Sequence, residues 1–305
     1  MATIETELTR LFGIQHPILL APMGSAAGGK LAAAVTHAGG LGMVGSGYAS
    51  TTAIKQELGE AGNARVGVGF ILWALDRNPK ALDVALDAKP AAIMLSFGNP
   101  EPYTPRIKAV GSKIICQVQT LEQAKQAAGA GADVIIAQGR DAGGHSGMTR
   151  GTIGLVPAVV DAVGSSIPVV AAGVSMGTRF TATRESLWDQ AMKEKAVASG
   201  GDQTAQTRVF DVVRGAAWPA IYPGRALRND FFAQWHGKEE ALAEQQKTVE
   251  PAYVATGAND FAQRVVWAGE SVDLVRDIPS ARDVIERIVD EAASVLRDGA
   301  AMVRS

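Results

Sequence analysis

An α/β fold, with parallel strands closing into a barrel under a coat of helices, is predicted for the 305-residue chain by three features of its sequence. Short apolar runs recur without the polar alternation of half-exposed strands, as expected when helices cover the outer face of a parallel sheet. Between them lie Ala-, Leu- and charge-rich segments with helical periodicity, so strand and helix alternate throughout. Gly-rich turns follow most of the runs, and a barrel would gather these turns on the C-terminal face, where ligands bind. A doubly wound sheet shares the alternation, but a long succession of such units favours closure.

The runs, in order, are Ile18 to Ala21, Leu41 to Val44, Val66 to Phe70, Ala92 to Leu95, Ile114 to Val118, Val134 to Ala137 and Pro168 to Ala172. The turns are Met23-Gly24-Ser25, Gly45-Ser46-Gly47, Gly98-Asn99, Gly139 to Gly147, and Gly173. Glycine at these places lets backbone N–H groups come close to a phosphate or a flat ring. Thr120-Leu121-Glu122-Gln123 has the pattern of a helix-starting capping box. From about Glu185 the sequence turns charged and Gln-rich, with a helix near Leu187 to Ala198, a break at Gly200-Gly201, and an aromatic stretch holding Trp218-Pro219 and Tyr222-Pro223-Gly224-Arg225. Residues 185–265 read as a mostly helical insertion over the barrel mouth. Residues 266–305 read as a helical closure, with Ala281 to Met302 amphipathic. No long Pro/Ser linker interrupts the chain, so residues 1–305 are expected to form one domain.

Bulk composition narrows the function. A hydrophobic content of 47% can supply a full core. Twenty-nine basic against 31 acidic residues leave a net charge of -2, and no basic run could track a phosphate backbone, which argues against nucleic acid. The single cysteine, Cys116, lies in an apolar run and reads as a buried thiol rather than a nucleophile. The N-terminus lacks the charged and apolar regions of a signal peptide, and no apolar stretch approaches about 18 residues. No membrane association and a cytoplasmic, reducing location are expected.

The most informative segment is Ala137-Gln138-Gly139-Arg140-Asp141-Ala142-Gly143-Gly144-His145-Ser146-Gly147, directly after an apolar run. It puts an imidazole, which gives or takes a proton near neutral pH, on a loop with little side-chain bulk. On the residues alone, His145 is either a base or an ordinary surface histidine. His16 lies ahead of the first strand, His37 in an Ala-rich helix and His236 in a charged helix, and all three read as structural or surface residues. No His, Cys or carboxylate pair has metal-ligand spacing, so no metal is expected. Gly173, Gly177 and Thr178, in Ala171-Ala172-Gly173-Val174-Ser175-Met176-Gly177-Thr178-Arg179-Phe180, suit a phosphate site after the last barrel strands, or a simple turn. Arg179 could add charge there or pair with a carboxylate.

Taken together, Ala21-Pro22-Met23, Ala38-Gly39-Gly40-Leu41-Gly42, Gln138 with Ala142-Gly143-Gly144-His145, and Met176-Gly177-Thr178-Arg179-Phe180 resemble the nitronate monooxygenases, formerly 2-nitropropane dioxygenases. The likeness extends to Ala182-Thr183-Arg184-Glu185-Ser186 and, more loosely, to Trp218 to Asn229 and Trp267-Ala268-Gly269. It implies a (β/α)8 TIM barrel with non-covalent FMN that takes electrons from an alkyl nitronate and reacts with dioxygen, giving a carbonyl compound and nitrite. By matching position, His145 takes the role of the family histidine, deprotonating a nitroalkane or positioning the nitronate. Pro22, Met23, Gly24, Gln117, Gln138, Gly143 and Gly144 match flavin contacts. Gly173 with Ser175, Met176, Gly177 and Thr178 matches the phosphate loop. Two other readings stay open: an NAD(P)H-dependent flavin reductase of the same superfamily acting on enoyl thioesters or quinones, and an FMN- or phosphate-binding remnant without turnover.

Two departures from the family pattern stand out. Gly69 occupies a position where many members carry an Asn that touches the flavin, so one side-chain hydrogen bond is missing. Members also carry a helix-bearing segment between the Ala-Ala-Gly turn and Met-Gly-Thr-Arg-Phe, whereas here only Val174 and Ser175 separate Gly173 from Met176. Parallel neighbours need a crossover of about a dozen residues. The expectation is a barrel incomplete between its seventh and eighth strands, with exposed sheet edges that invite association, and with activity reduced or absent relative to full-length relatives.

Overall fold

The computed structural model describes residues 2–171 and 174–303. Its core is a parallel sheet of β2 (Met43–Gly45), β3 (Gly67–Ile71), β4 (Ala92–Ser96), β5 (Lys113–Val118), β6 (Val134–Ala137) and β8 (Val169–Ala171), in that spatial order. β1 (Leu19–Leu20) pairs in parallel with β9 (Ser175–Met176), and Leu19 also bridges Leu41 just ahead of β2. Eight parallel strands therefore follow one another as β9, β1, β2 to β6 and β8. Each predicted run carries a strand. Val134 to Ala137 is matched residue for residue, and the last run is described up to Ala171. Most of the strands are buried because helices pack outside them and side chains such as Met43, Met94, Ile115 and Ile136 fill the inside, which is why they read as apolar runs.

β8 and β9 are separated by residues 172–174 alone, and no ladder joins them among the described residues. The Val174 N–H donates to the Ala171 carbonyl at 2.9 Å, with β8 pairing to β6 and β9 to β1. The barrel is incomplete where the sequence lacks a crossover, as expected.

Residues 185–265 differ from the expected mostly helical insertion. Helices Gln190–Val197, Val209–Val213, Asp230–Trp235, Glu239–Glu244 and Gln246–Val254 are present, but so are β10 (Thr204–Thr207) and β11 (Gly224–Leu227). These two pair antiparallel, and β11 also pairs with β7 (Gly144–His145). The glycine-rich segment read as a loop is thus clamped to the insertion by a strand. The closing helix spans Ala281–Met302, as its apolar spacing predicts, and lays Val284, Ile285 and Val289 on the core. Thr120 caps its helix by accepting from the Gln123 N–H at 3.2 Å, but the Gln123 side chain bonds the Gln119 N–H instead of completing the box. Among the described residues no helix is long and apolar enough to cross a membrane.

Cys116 is buried, and burial pushes its thiol up to about 12, so it carries no nucleophile. His16 is fully buried with neither ring nitrogen hydrogen-bonded among the described residues. Burial lowers its pKa, against a smaller opposing pull from Asp290 and Glu286 of the closing helix. The sign follows from linkage: as pH falls through the ordinary value of 6.5 the unfolded chain takes up a proton that the folded chain refuses, so stability drops. The urea midpoint is expected to fall between pH 7 and pH 5, and His16→Phe, which has a ring of similar size and no proton to gain, to flatten that slope. Equal slopes for the two proteins would show that His16 does not contribute.

Candidate active site

The C-terminal ends of the strands surround a single large cavity of about 1400 Å³. Pro22, Met23 and Gly24 follow β1, Gln117 lies on β5, Gln138 follows β6, and Gly143, Gly144 and His145 come from the clamped segment. Ser175, Met176, Gly177 and Thr178 face the cavity from β9 and the short turn after it. The fold thus brings together all the residues matched to the site, except Gly173, which lies outside the described residues.

His145 is held on three sides. Its Nε2 lies 2.9 Å from Asp211 Oδ2, with the two side chains only 11% and 5% exposed. Its ring stacks on Trp218 with centroids 3.5 Å apart and planes 5° from parallel, and Trp267 leans against it at 5.2 Å. The Gln138 amide donates to the His145 carbonyl at 3.1 Å. Nδ1 has no hydrogen-bond partner among the described residues and is not among the fully buried unpaired atoms, and His145 lines the cavity. A surface histidine is therefore excluded. Gly144, at φ 68°, makes the left-handed turn that delivers the ring to this position.

The rest of the wall mixes apolar side chains with amides, hydroxyls and charged groups such as Arg214 and Glu270. Gln138 Oε1 accepts from the amides of Gln117 at 3.1 Å and Gln119 at 2.9 Å. Gln123 continues towards the mouth and donates to the Tyr222 hydroxyl at 2.7 Å. Asp141 Oδ1 accepts from the Thr152 N–H at 2.7 Å, anchoring the loop to the start of the helix Thr152–Val163. A Cβ on Gly143 would meet the Gly269 N at 2.5 Å and Thr178 Oγ1 at 2.9 Å, so this glycine permits close approach of the closing segment. Thr178 Oγ1 accepts from the Gly269 N–H at 3.0 Å and keeps its own proton to donate. Arg179 is taken up by Asp277, with Nη2 2.6 Å from Oδ1, and burial lowers its pKa.

Two hydroxyls, Ser46 Oγ and Ser175 Oγ, are buried in residues that line this cavity and have no hydrogen-bond partner among the described residues. Unpartnered buried polar atoms cost free energy, on the order of 1–3 kcal/mol each, and here they sit where a ligand would satisfy them. With the glutamine amides and the glycine backbone beside Met23, they form a donor set suited to a flat, polar, phosphorylated cofactor. The departure at Gly69 also has a cause in this wall: a Cβ there would overlap the Cβ and Cγ of Pro22. The space for a side chain at residue 69 is already filled.

Comparison with known proteins decides the family. The profile of the nitronate monooxygenase family matches residues 5–66, 63–173 and 171–291. The chain belongs to the nitronate monooxygenase family. The family profile restarts at 171 after ending at 173, where β8 passes into β9. A nitronate monooxygenase of Pseudomonas aeruginosa is 30% identical over 359 positions, covering 93% of this chain and 98% of that protein. That alignment is longer than the 305 residues here, so the relative carries sequence which this nitronate monooxygenase family member lacks. A (3aS,4S,5R,7aS)-5-hydroxy-7a-methyl-1-oxo-octahydro-1H-indene-4-carboxyl-CoA dehydrogenase of Rhodococcus jostii is 28% identical, covering 96% of this chain and 97% of that protein. Among solved structures, FabK from Thermotoga maritima superposes with a TM-score of 0.83 at 29% identity, covering 99% of this chain and all of that one. As a member of this family the protein is a flavin-dependent oxidoreductase on a TIM barrel.

Sequence reading missed Asp211 and Ser46. Asp211 had a signal, a lone carboxylate inside the apolar run Val209-Phe210-Asp211-Val212-Val213. Ser46 stood in a turn already singled out for its glycines.

Proposed function

We propose that this chain oxidises alkyl nitronates, and neutral nitroalkanes after deprotonating them, using non-covalent FMN and dioxygen to give a carbonyl compound and nitrite. The observation that carries the reading is His145: a partly buried imidazole, fixed on one nitrogen and open on the other, at the wall of the flavin-sized cavity. A nitroalkane gains acidity because its nitro group accepts the electron pair of the broken C–H bond, so a near-neutral base suffices to remove that proton. Flavin supplies electron acceptance from the nitronate and the reaction with dioxygen. The chain's own groups bind and orient. Ser175, Gly177 and Thr178 would hold the phosphate, and the amides of Gln117 and Gln138 with the backbone around Met23 would meet the ring. Trp218 and Trp267 exclude water from the face of His145. We read residues 1–305 as one domain acting in the cytoplasm.

A second reading has its own support. The cavity exceeds the roughly 300–1,000 Å³ usual for a small-molecule site, and the octahydro-1H-indene-4-carboxyl-CoA dehydrogenase stands about as near in sequence as the nitronate monooxygenase. A reductase acting on a thioester or quinone with NAD(P)H would use that extra room.

An absorbance spectrum of the purified protein reconstituted with FMN, followed by anaerobic addition of propionate 3-nitronate, separates these readings. Bleaching by the nitronate and slow reduction by NAD(P)H is the expected result. Fast bleaching by NAD(P)H with none by nitronate would transfer the assignment to the reductase, and failure to hold flavin would mean that the shortened segment has removed the chemistry.

A further inference from the structure

Within the proposed reaction, we infer that Asp211 is a positioning residue that keeps the His145 proton on Nε2 and so leaves Nδ1 as the base, with Arg214 fixing which way Asp211 can serve. This rests on His145 being the base, but its central test does not depend on turnover.

Asp211 is 3% exposed and lies on the helix Val209–Val213, which the insertion packs beside β7 and β11. Its two carboxylate oxygens are divided between two donors. Oδ2 faces His145 Nε2 at 2.9 Å, and Oδ1 takes Arg214 Nη2 at 3.1 Å. Arg214 cannot swing away freely, because its Nε donates to the Phe210 carbonyl at 2.6 Å and its guanidinium lies 5.5 Å from the Trp267 ring centre. A carboxylate only accepts hydrogen bonds and a guanidinium only donates them. Facing an acceptor, Nε2 must carry a hydrogen, and the remaining lone pair of the neutral ring is then on Nδ1. Trp218 stacked on the ring blocks the ring flip that would carry Nε2 away from Asp211.

In the step this arrangement serves, the C–H bond next to the nitro group breaks, its proton goes to Nδ1, and its electron pair moves into the nitro group, giving the nitronate. The imidazolium that results is neutralised by Asp211 at Nε2. A substrate supplied as the nitronate skips this step.

The geometry makes an unusual prediction for Asp211→Asn. Arg214 still demands an acceptor, so the amide must turn its oxygen to Arg214 and its NH2 to His145, which forces Nε2 to accept and moves the proton to Nδ1. The same inversion of a histidine tautomer by Asp-to-Asn replacement is known from the serine-protease triad. Adding Arg214→Leu frees the amide to turn back, so Asp211→Asn/Arg214→Leu is expected to recover the original tautomer.

The test is a long-range ¹H–¹⁵N spectrum of the histidine rings in the flavin-free protein above neutral pH, where only four histidines need assignment. Expected are an Nε2–H pattern for His145 in the parent protein, an Nδ1–H pattern in Asp211→Asn, and return of the first pattern in the double variant. On the flavin-loaded protein, the ratio of kcat/KM for nitroethane to that for its nitronate should fall about tenfold or more in Asp211→Asn. A parent protein with the proton on Nδ1, or an Asp211→Asn protein with an unchanged pattern, would overturn the inference. So would equal losses on the two substrates together with unchanged tautomers. If instead the tautomers invert as expected while neither substrate reduces the flavin, the proposed function fails and the positioning of His145 stands.

Discussion

Replacement of His145 by alanine is expected to lower kcat/KM for nitroethane by about 10²–10⁴, the usual contribution of a positioned base, which corresponds to roughly 3–5 kcal/mol of barrier. The loss on preformed ethylnitronate should be much smaller, because that substrate arrives without the proton His145 would remove. Flavin should stay bound, since the proposed cofactor contacts come from the ends of β1, β5 and β6, from Ser175 to Thr178 and from Gly143 and Gly144, which have no side chain for the imidazole to support. The backbone carbonyl of residue 145, which takes the Gln138 amide, survives the substitution. The side chain does leave consequences behind. Trp218 loses the surface on which it stacks, and Asp211 Oδ2 loses its donor while Oδ1 keeps Arg214. Absorbance at flavin wavelengths, read beside initial rates on both substrates, distinguishes the cases. A protein that comes through purification and FMN reconstitution without flavin would make His145 a structural residue. Equal losses on nitroethane and ethylnitronate would mean that it binds or orients the nitronate rather than acting as a base.

How much of this was legible in the sequence depended on what surrounds each segment. β2 to β6 and β8 are covered on both faces, so Val134 to Ala137 or Ala92 to Leu95 had to be apolar without interruption. The closing helix presents one apolar stripe to the barrel and charge to the other side, and its limits fell out at Ala281 and Met302. The sheet of β7, β10 and β11 was hidden for the opposite reason. Thr204 to Thr207 is polar at every position but Ala205, and β11 carries Arg225, a charge that is buried only because Glu270, Thr204 and the Arg140 carbonyl receive its guanidinium. Partners that distant in sequence cannot be read from a local pattern. The same holds for the site. The glycine-rich segment announced His145, but the burial that makes it more than a loop histidine comes from Asp211, Trp218 and Trp267, between 66 and 122 residues further on. The incomplete barrel, by contrast, followed from a count of residues between two turns.

Restoring the common family residue at position 69 is expected to harm this chain. Gly69 lies in the middle of β3, paired through Gly45 to β2 on one side and through Met94 to β4 on the other, so its backbone has no room to retreat. A side chain there would drive a Cβ into the Pro22 ring, which, closed on its own backbone, cannot turn aside as a longer side chain would. The strain must be relieved by moving Pro22, Met23 and Gly24 off the end of β1, and Gly24 is itself packed against Gly47, whose Cα a Cβ on Gly24 would meet at 2.6 Å. Overpacking of this kind costs about 1–3 kcal/mol and more where backbone must shift. Gly69→Asn should therefore melt several degrees below the parent protein and lose flavin, although asparagine is the residue that the family resemblance implies at this place. The sign should reverse once the obstacle is removed: in Pro22→Gly both the Cβ and the Cγ that a side chain at residue 69 would meet are gone, and adding Gly69→Asn to that background should cost little stability and tighten flavin binding. Thermal denaturation and flavin titration of the four proteins form a double-mutant cycle whose coupling term reads the clash directly. A coupling near zero, with Gly69→Asn stable and flavin-loaded on its own, would show that Pro22 yields, and the missing asparagine would then need a cause other than the shape of this wall.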